Sequence, residues 1–149
     1  MHSLKLKTRD FGEIEVNEED ILTFTTGMYG FEECTKFIIL KDSPDDDVMF
    51  LQSIENKDLS FVLIDPYSIF INYEPCLNEE DLSELNAKNE SDLKYLVIAI
   101  IKEDVKDSVV NLKSPIAINP DSRYAKQVIL QNSYPLRYNI LSAEEESNC

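Results

Sequence analysis

The sequence predicts an all-β domain: a compact, β-barrel-like body of about ten short antiparallel strands with a small helical insertion near residues 78–94. Three observations predict it. Short stretches rich in β-branched and aromatic residues recur at the ~8–12-residue spacing of sandwiches and barrels. There is no strand–helix–strand alternation, no internal repeat and no linker. And one stretch, Asn111–Leu130, reads as a hairpin on its own chemistry. Pro115 opens its first strand, where a missing N–H does least harm, and Ile116 and Ile118 alternate with Ala117 and Asn119. Pro120-Asp121-Ser122-Arg123 is the turn, and Lys126–Leu130 the returning strand.

From the N-terminus, Leu4, Leu6 and Thr8 alternate with Lys5, Lys7 and Arg9, the period-2 pattern of a half-buried strand. Asp10-Phe11-Gly12 turns the chain, and Ile14 and Val16 lie on the returning strand. Asn17–Asp20 is a polar corner before the strand Ile21–Phe24. Two of the three glycines, Gly27 and Gly30, frame the next loop, which predicts positive φ or close backbone approach there. No Lys-Ser/Thr pair or helix start follows, so the loop does not read as a phosphate cradle. Phe37–Leu40 is a strand. Asp45-Asp46-Asp47 lacks the ligand spacing and glycine of a calcium loop and reads as a solvated tip. Val48–Gln52 and Leu59–Ile64 are strands joined by the turn Glu55–Asp58, and Asp65-Pro66 ends the second.

Tyr67–Pro75, bounded by Pro66 and Pro75, is either an edge strand or an extended loop. Its rings, Tyr67, Phe70 and Tyr73, either pack on the core or stand beside Glu74 as interface anchors. Helix chemistry follows: Asn78 as N-cap, Glu79, Glu80 and Asp81 at the positive end of the dipole, and Leu82 and Leu85 as the apolar stripe. Ser91 is expected to cap a second turn through Lys94. Tyr95–Ile101 is a near-continuous apolar run, read as the central strand, covered on both faces. Lys102–Asp107 is a charged turn and Ser108–Leu112 a strand. The domain is expected to span 1–141, with 142–149, carrying Glu144-Glu145-Glu146, as a disordered acidic tail.

Composition narrows the function. Fourteen Lys and Arg against 29 Asp and Glu leave a net charge of −15, which repels phosphates and argues against nucleic acid as a direct partner. It suits a basic protein partner. Cys34, Cys76 and Cys149 are far apart and in no CxxC pair, so neither a disulfide framework nor a zinc site is expected. The N-terminus has no apolar signal segment, and Tyr95–Ile101 falls far short of the ~20 residues of a membrane span. The expected location is the cytoplasm, which leaves the Asn89-Glu90-Ser91 sequon unused. The only histidine is His2, and no GxSxG, HExxH or GxGxxG occurs, so no catalytic, cofactor or metal residue is named. A carboxylate-dependent hydrolase is the remaining enzyme rival to a binding module.

The motifs Thr8–Val16, Thr26–Glu32, Leu51–Ser53, Phe61–Pro66, Tyr73–Pro75, Asn111–Asn119, Lys126–Leu130 and Tyr134–Arg137, in that order, resemble those of the FliW family of flagellar assembly factors. The resemblance implies a bacterial cytoplasmic protein with a barrel-like fold and no enzymatic activity. It implies two protein partners. The translational repressor CsrA would be held off flagellin mRNA, and flagellin would compete for the factor, closing a feedback loop on its own synthesis. The factor is expected to be a monomer that binds a repressor dimer. A flagellin-specific chaperone without repressor control is the alternative. Against the family pattern, Thr25 stands where proline is usual and Ala125 where glycine is usual, which bears on loop geometry. Expected partner-binding residues are Phe70, Tyr73 and Glu74, then Asn111, Lys113 and Arg137. For Asn111 a turn or ladder contact is an equal reading. The repressor's RNA groove would be either altered from beside it or occupied by an acidic competitor.

Overall fold

The structure, a computed structural model, describes residues 2–45 and 47–141. The tail expected at 142–149 and the middle of the Asp45–Asp47 run lie outside the described residues. β1 (Ser3–Lys7) and β2 (Glu13–Asn17) form a separate antiparallel hairpin. The remaining strands are β3 (Leu22–Phe24), β4 (Lys36–Leu40), β5 (Val48–Ser53), β6 (Ser60–Ile64), β7 (Lys94–Ile100), β8 (Val109–Val110), β9 (Ile116–Ile118), β10 (Tyr124–Gln127) and β11 (Tyr138–Asn139). Seven of them close a ring in the order β3-β4-β5-β6-β7-β9-β10, while β8 and β11 extend outward from β7.

The expectation of an antiparallel body holds at every junction but one: β3 and β10 run parallel, with Tyr124 opposite Thr23 and Ala125 opposite Phe24. Parity requires this. Each antiparallel neighbour reverses direction, and seven reversals cannot return a closed ring to its starting direction.

Alternation along each strand sorts the side chains into an interior and two outer layers. Phe24, Phe37, Leu51, Leu63, Ile116 and Ala125 fill the interior. On the outside of β4, Ile38 packs under the β1–β2 hairpin against Leu6 and Val16. On the outside of β6, β7 and β9, Ile64, Val97 and Ala117 lie beneath Tyr73, Leu77, Leu85 and Leu93 of the whole β6–β7 connection, residues 65–93, which forms the insertion, joined by Val128 and Leu130. Strand β7 is central, pairing with β6, β8 and β9. Tyr95, Val97 and Ala99 face the outer layer, while Leu96 and Ile98 pack against the interior cluster. That two-sided cover explains its unbroken apolar run.

The insertion folds much as its chemistry dictates. Asn78 Oδ1 accepts the Asp81 N–H at 2.7 Å and starts α1 (Glu79–Glu84). The second turn is capped by Asn89, not by Ser91 as expected. Asn89 Oδ1 accepts the Ser91 N–H at 3.0 Å, and the Asp92 carboxylate accepts the Asn89 N–H at 3.3 Å. The acid three residues on completes a reciprocal box, which no residue three beyond Ser91 can do, since that position is Lys94. Lys126 of β10 then clamps the helix, donating to Asp81 Oδ1 at 2.7 Å and to Glu84 Oε2. Burial alone would lower the Lys126 pKa, but the two carboxylate hydrogen bonds outweigh it and hold it above the usual lysine range.

Two loops settle alternatives. Tyr67–Pro75 is a loop, not an edge strand: a 3₁₀ turn at Pro66–Ser68, capped by Asp65 accepting the Tyr67 N–H at 2.9 Å, leads into coil. The Gly27–Gly30 loop has both features expected of it. Gly30 has φ +86°, and a side chain at Gly27 would meet the Glu32 carbonyl oxygen at 2.3 Å. In the hairpin after Pro115 the second strand begins at Tyr124, two residues earlier than expected. Asn119 Oδ1 accepts the Asp121 N–H at 2.9 Å, and Arg123 takes φ +66°, so the turn closes sooner.

Candidate functional site

The six residues singled out from sequence come from three distant segments, and the fold gathers them along one seam. The insertion loop, the Asn111–Ser114 turn and the segment Gln131–Arg137 meet there through side chains the sequence reading did not name. Asn132 is the hub: its Nδ2 donates to the Glu74 carbonyl at 3.0 Å, and its own carbonyl accepts Lys113 Nζ. Tyr134 is the second link. Its hydroxyl accepts the Glu74 N–H at 3.0 Å, and its ring lies 4.8 Å from that of Tyr73 and 5.6 Å from that of Phe70. The only advance signal was its place in the Tyr134–Arg137 motif.

Each expected residue now has a position. Tyr73 is 2% exposed, and its hydroxyl donates to the Leu112 carbonyl at 2.6 Å. Burial, then the neighbouring Tyr134 and Tyr67, pushes its pKa far above the ordinary tyrosine value, so it stays a protonated donor. Of the two readings for the rings, Tyr73 takes the packing one and leaves almost no surface exposed. Phe70 is half-buried, packed edge-on against Tyr134 and Tyr138. Glu74 is exposed. Asn111 has the turn and ladder contacts that were the equal reading: its Oδ1 accepts the Ser114 N–H at 2.9 Å and its N–H donates to Ile98 at 3.0 Å. Lys113 is half-buried and Arg137 exposed.

What the seam offers to solvent is aliphatic as much as charged. Ile71 is 82% and Leu136 61% exposed, neither being singled out in advance. Beside Leu136 a hollow of about 200 Å³ is lined by Ile98, Ile100, Val109, Asn111 and Arg137. It lies on the side of β7 that faces the barrel interior, where β7 and β8 run past the ring. Exposed aliphatic groups with a carboxylate and a guanidinium at their margin can hold a protein surface. Among the described residues no group of three or more His, Cys, Asp or Glu is placed to hold a metal, and no helix is long and apolar enough to cross a membrane. Cys34 is buried and Cys76 exposed, and both are free thiols.

Comparison with known proteins gives one consistent answer. A family profile described as "FliW protein" matches residues 5–140. The flagellar assembly factor FliW of Natranaerobius thermophilus is 40% identical over 131 residues, covering 87% of each chain. That of Caldicellulosiruptor bescii is 42% identical over 134 residues, covering 89% of this chain and 88% of the relative. A crystal structure of the flagellar assembly factor FliW superposes with a TM-score of 0.84 at 38% identity, covering 92% of this chain and 96% of that one.

Proposed function

The chain belongs to the FliW family, and on that footing we propose that it is a flagellar assembly factor that works by binding other proteins. It holds the repressor CsrA away from flagellin mRNA in the cytoplasm. Flagellin competes for it, so that accumulating flagellin returns the repressor to its RNA. No step of this requires catalysis. The reading is carried by the convergence of Glu74, Asn111, Lys113 and Arg137 on one seam, with Leu136 exposed beside Asn111 and Arg137. The net charge of −15 also favours a basic, RNA-binding partner over an acidic one, by speeding encounter rather than by holding the complex.

The test is direct. Purified CsrA and flagellin are titrated separately against the wild type, Leu136→Asp and Arg137→Glu. Both substituted residues are exposed, so folding is expected to be unchanged. A loss of at least about tenfold in repressor affinity is expected for each, the scale of an interface anchor. Wild-type affinity in both variants removes the seam from the interface, and failure of the wild type to bind either protein removes the function. Titrating RNA into the repressor at rising concentrations of the factor separates the two modes of block. An effect through an altered groove saturates, whereas direct occupancy raises the apparent RNA Kd without limit.

A further inference from the structure

The two outer layers do not meet over β5 and β6. Val48 and Phe50 point outward from β5, with the Phe50 ring 5.4 Å from that of Phe11 in the hairpin turn, and Val62 and Ile64 point outward from β6, with Ile64 buried at the edge of the insertion. The β1–β2 hairpin covers β4 on one side and the insertion covers β7 on the other. Between them runs a trough of about 520 Å³, walled by these four side chains with Ile101 and Val105, and closed by Ile140. Its lining is entirely apolar. Ile101 is 49% and Val105 55% exposed, so the mouth of the trough presents aliphatic side chains to water. None of the six seam residues lines it.

We propose that this trough is a second docking surface, and that it takes a cationic amphipathic helix of a partner protein. The charge around it selects the occupant. Asp47, Asp65, Glu103, Asp104 and Asp107 flank its walls and are exposed. Against them stand Lys102 and Lys106, and Lys106 is already 3.4 Å from Asp104. A fatty acid or a second copy of this acidic chain would bring negative charge to a negative rim, whereas lysines or arginines beside an apolar stripe complement it. The backbone selects the mode. Phe50, Val62 and Ile64 have ladder partners on both sides, so no strand can be added there and side chains must do the recognising. Apolar anchors at i, i+3, i+4 and i+7 of a helix fit such a trough.

The experiment uses the full chain and a synthetic helical peptide with leucines at those four positions and lysines beside them. Controls are the same composition with the leucines scrambled and a version with glutamates for the lysines. Methyl NMR is expected to show shifts at Val48, Val62, Ile64, Ile101 and Val105 on adding the first peptide, and affinity about tenfold or more below it for both controls. Val105→Asp is expected to weaken the first peptide by at least about tenfold, because a carboxylate in an apolar trough loses hydration. Arg137→Glu leaves it unchanged, so failure here and failure of the seam are read separately. Equal binding of a control peptide overturns the proposal. So do shifts at Leu136 and Ile71 instead, tight binding of a fatty acid, or a concentration-dependent dimer that Val105→Asp dissolves.

Discussion

Two layers wrap the outside of the same barrel, and they are built to different standards. The N-terminal hairpin lies on β4 with three buried apolar residues, Leu6, Val16 and Ile38, and partly buried neighbours. The insertion lies on β6, β7 and β9 with a larger buried cluster that takes in Leu85, Val97 and Leu112. It adds a hydrogen bond from the buried Tyr73 hydroxyl and an ion pair from Lys126 to the helix. One cover is an attached flap with the ladder of a two-stranded ribbon. The other shares its core with the barrel and with the seam. A ribbon that buries little should open on its own, whereas a layer that completes the core should open only with the whole.

Leu85→Ala should separate the two most sharply. The side chain is fully buried in the insertion cluster, and truncation is expected to cost about 4 kcal/mol and lower the global Tm. Local opening of residues 78–93 with an unchanged Tm would show that the insertion is a flap too.

Lys126→Met comes next, at about 3 kcal/mol, because it leaves Asp81 nearly buried without its cation. The pH dependence has a definite sign. Lys126 has its folded pKa raised above the unfolded value, so its contribution is complete below about pH 10.4 and fades as pH rises through the folded value. Denaturant midpoints for wild type should therefore fall in that alkaline range and converge on those of the variant. Parallel curves would place the stabilisation elsewhere.

Leu6→Ala should cost about 2 kcal/mol, read chiefly as faster hydrogen exchange in residues 3–17 while β7 stays protected. Equal loss of protection in β7 would merge the two layers into one unit.

The smallest effect belongs to the junction between them. Thr25 donates its N–H to the Ala125 carbonyl at 3.0 Å beside the parallel β3–β10 pair. Thr25 and Ala125 are thus bonded to each other, and a proline at 25 would lose that bond. The Thr25 hydroxyl is buried without a partner, so Thr25→Val is expected to be neutral or stabilising by up to about 1 kcal/mol in chemical denaturation. A clear loss would mean that the hydroxyl is satisfied in solution.

Much of this was legible in the chain, element by element. Leu4 to Val16 announced a hairpin, Asn78 a cap, and Ile116 to Ile118 a strand, because period-2 alternation and capping are exchanges between near neighbours. The seam was half legible. Motif residues Asn111, Lys113 and Arg137 pointed to it, but nothing local marked Asn132 as the hub or Leu136 as exposed. Tyr73 and Ile71 sit two positions apart in one loop with opposite fates, buried and bare. Their sequence context could not separate them, since a loop has no fixed period to assign a face.

Strand content, the acid excess, the helix start and the kinship with FliW were written in residue order alone. Closure was decided only when the chain folded: the parallel β3–β10 junction, the faces that gained covers, and the trough left between them. The reason is distance along the chain. A cap bonds across three residues, while the Tyr73 hydroxyl finds Leu112 39 residues away and Glu74 finds Tyr134 60 residues away. Such contacts depend on every strand between them being in register, which no single stretch encodes.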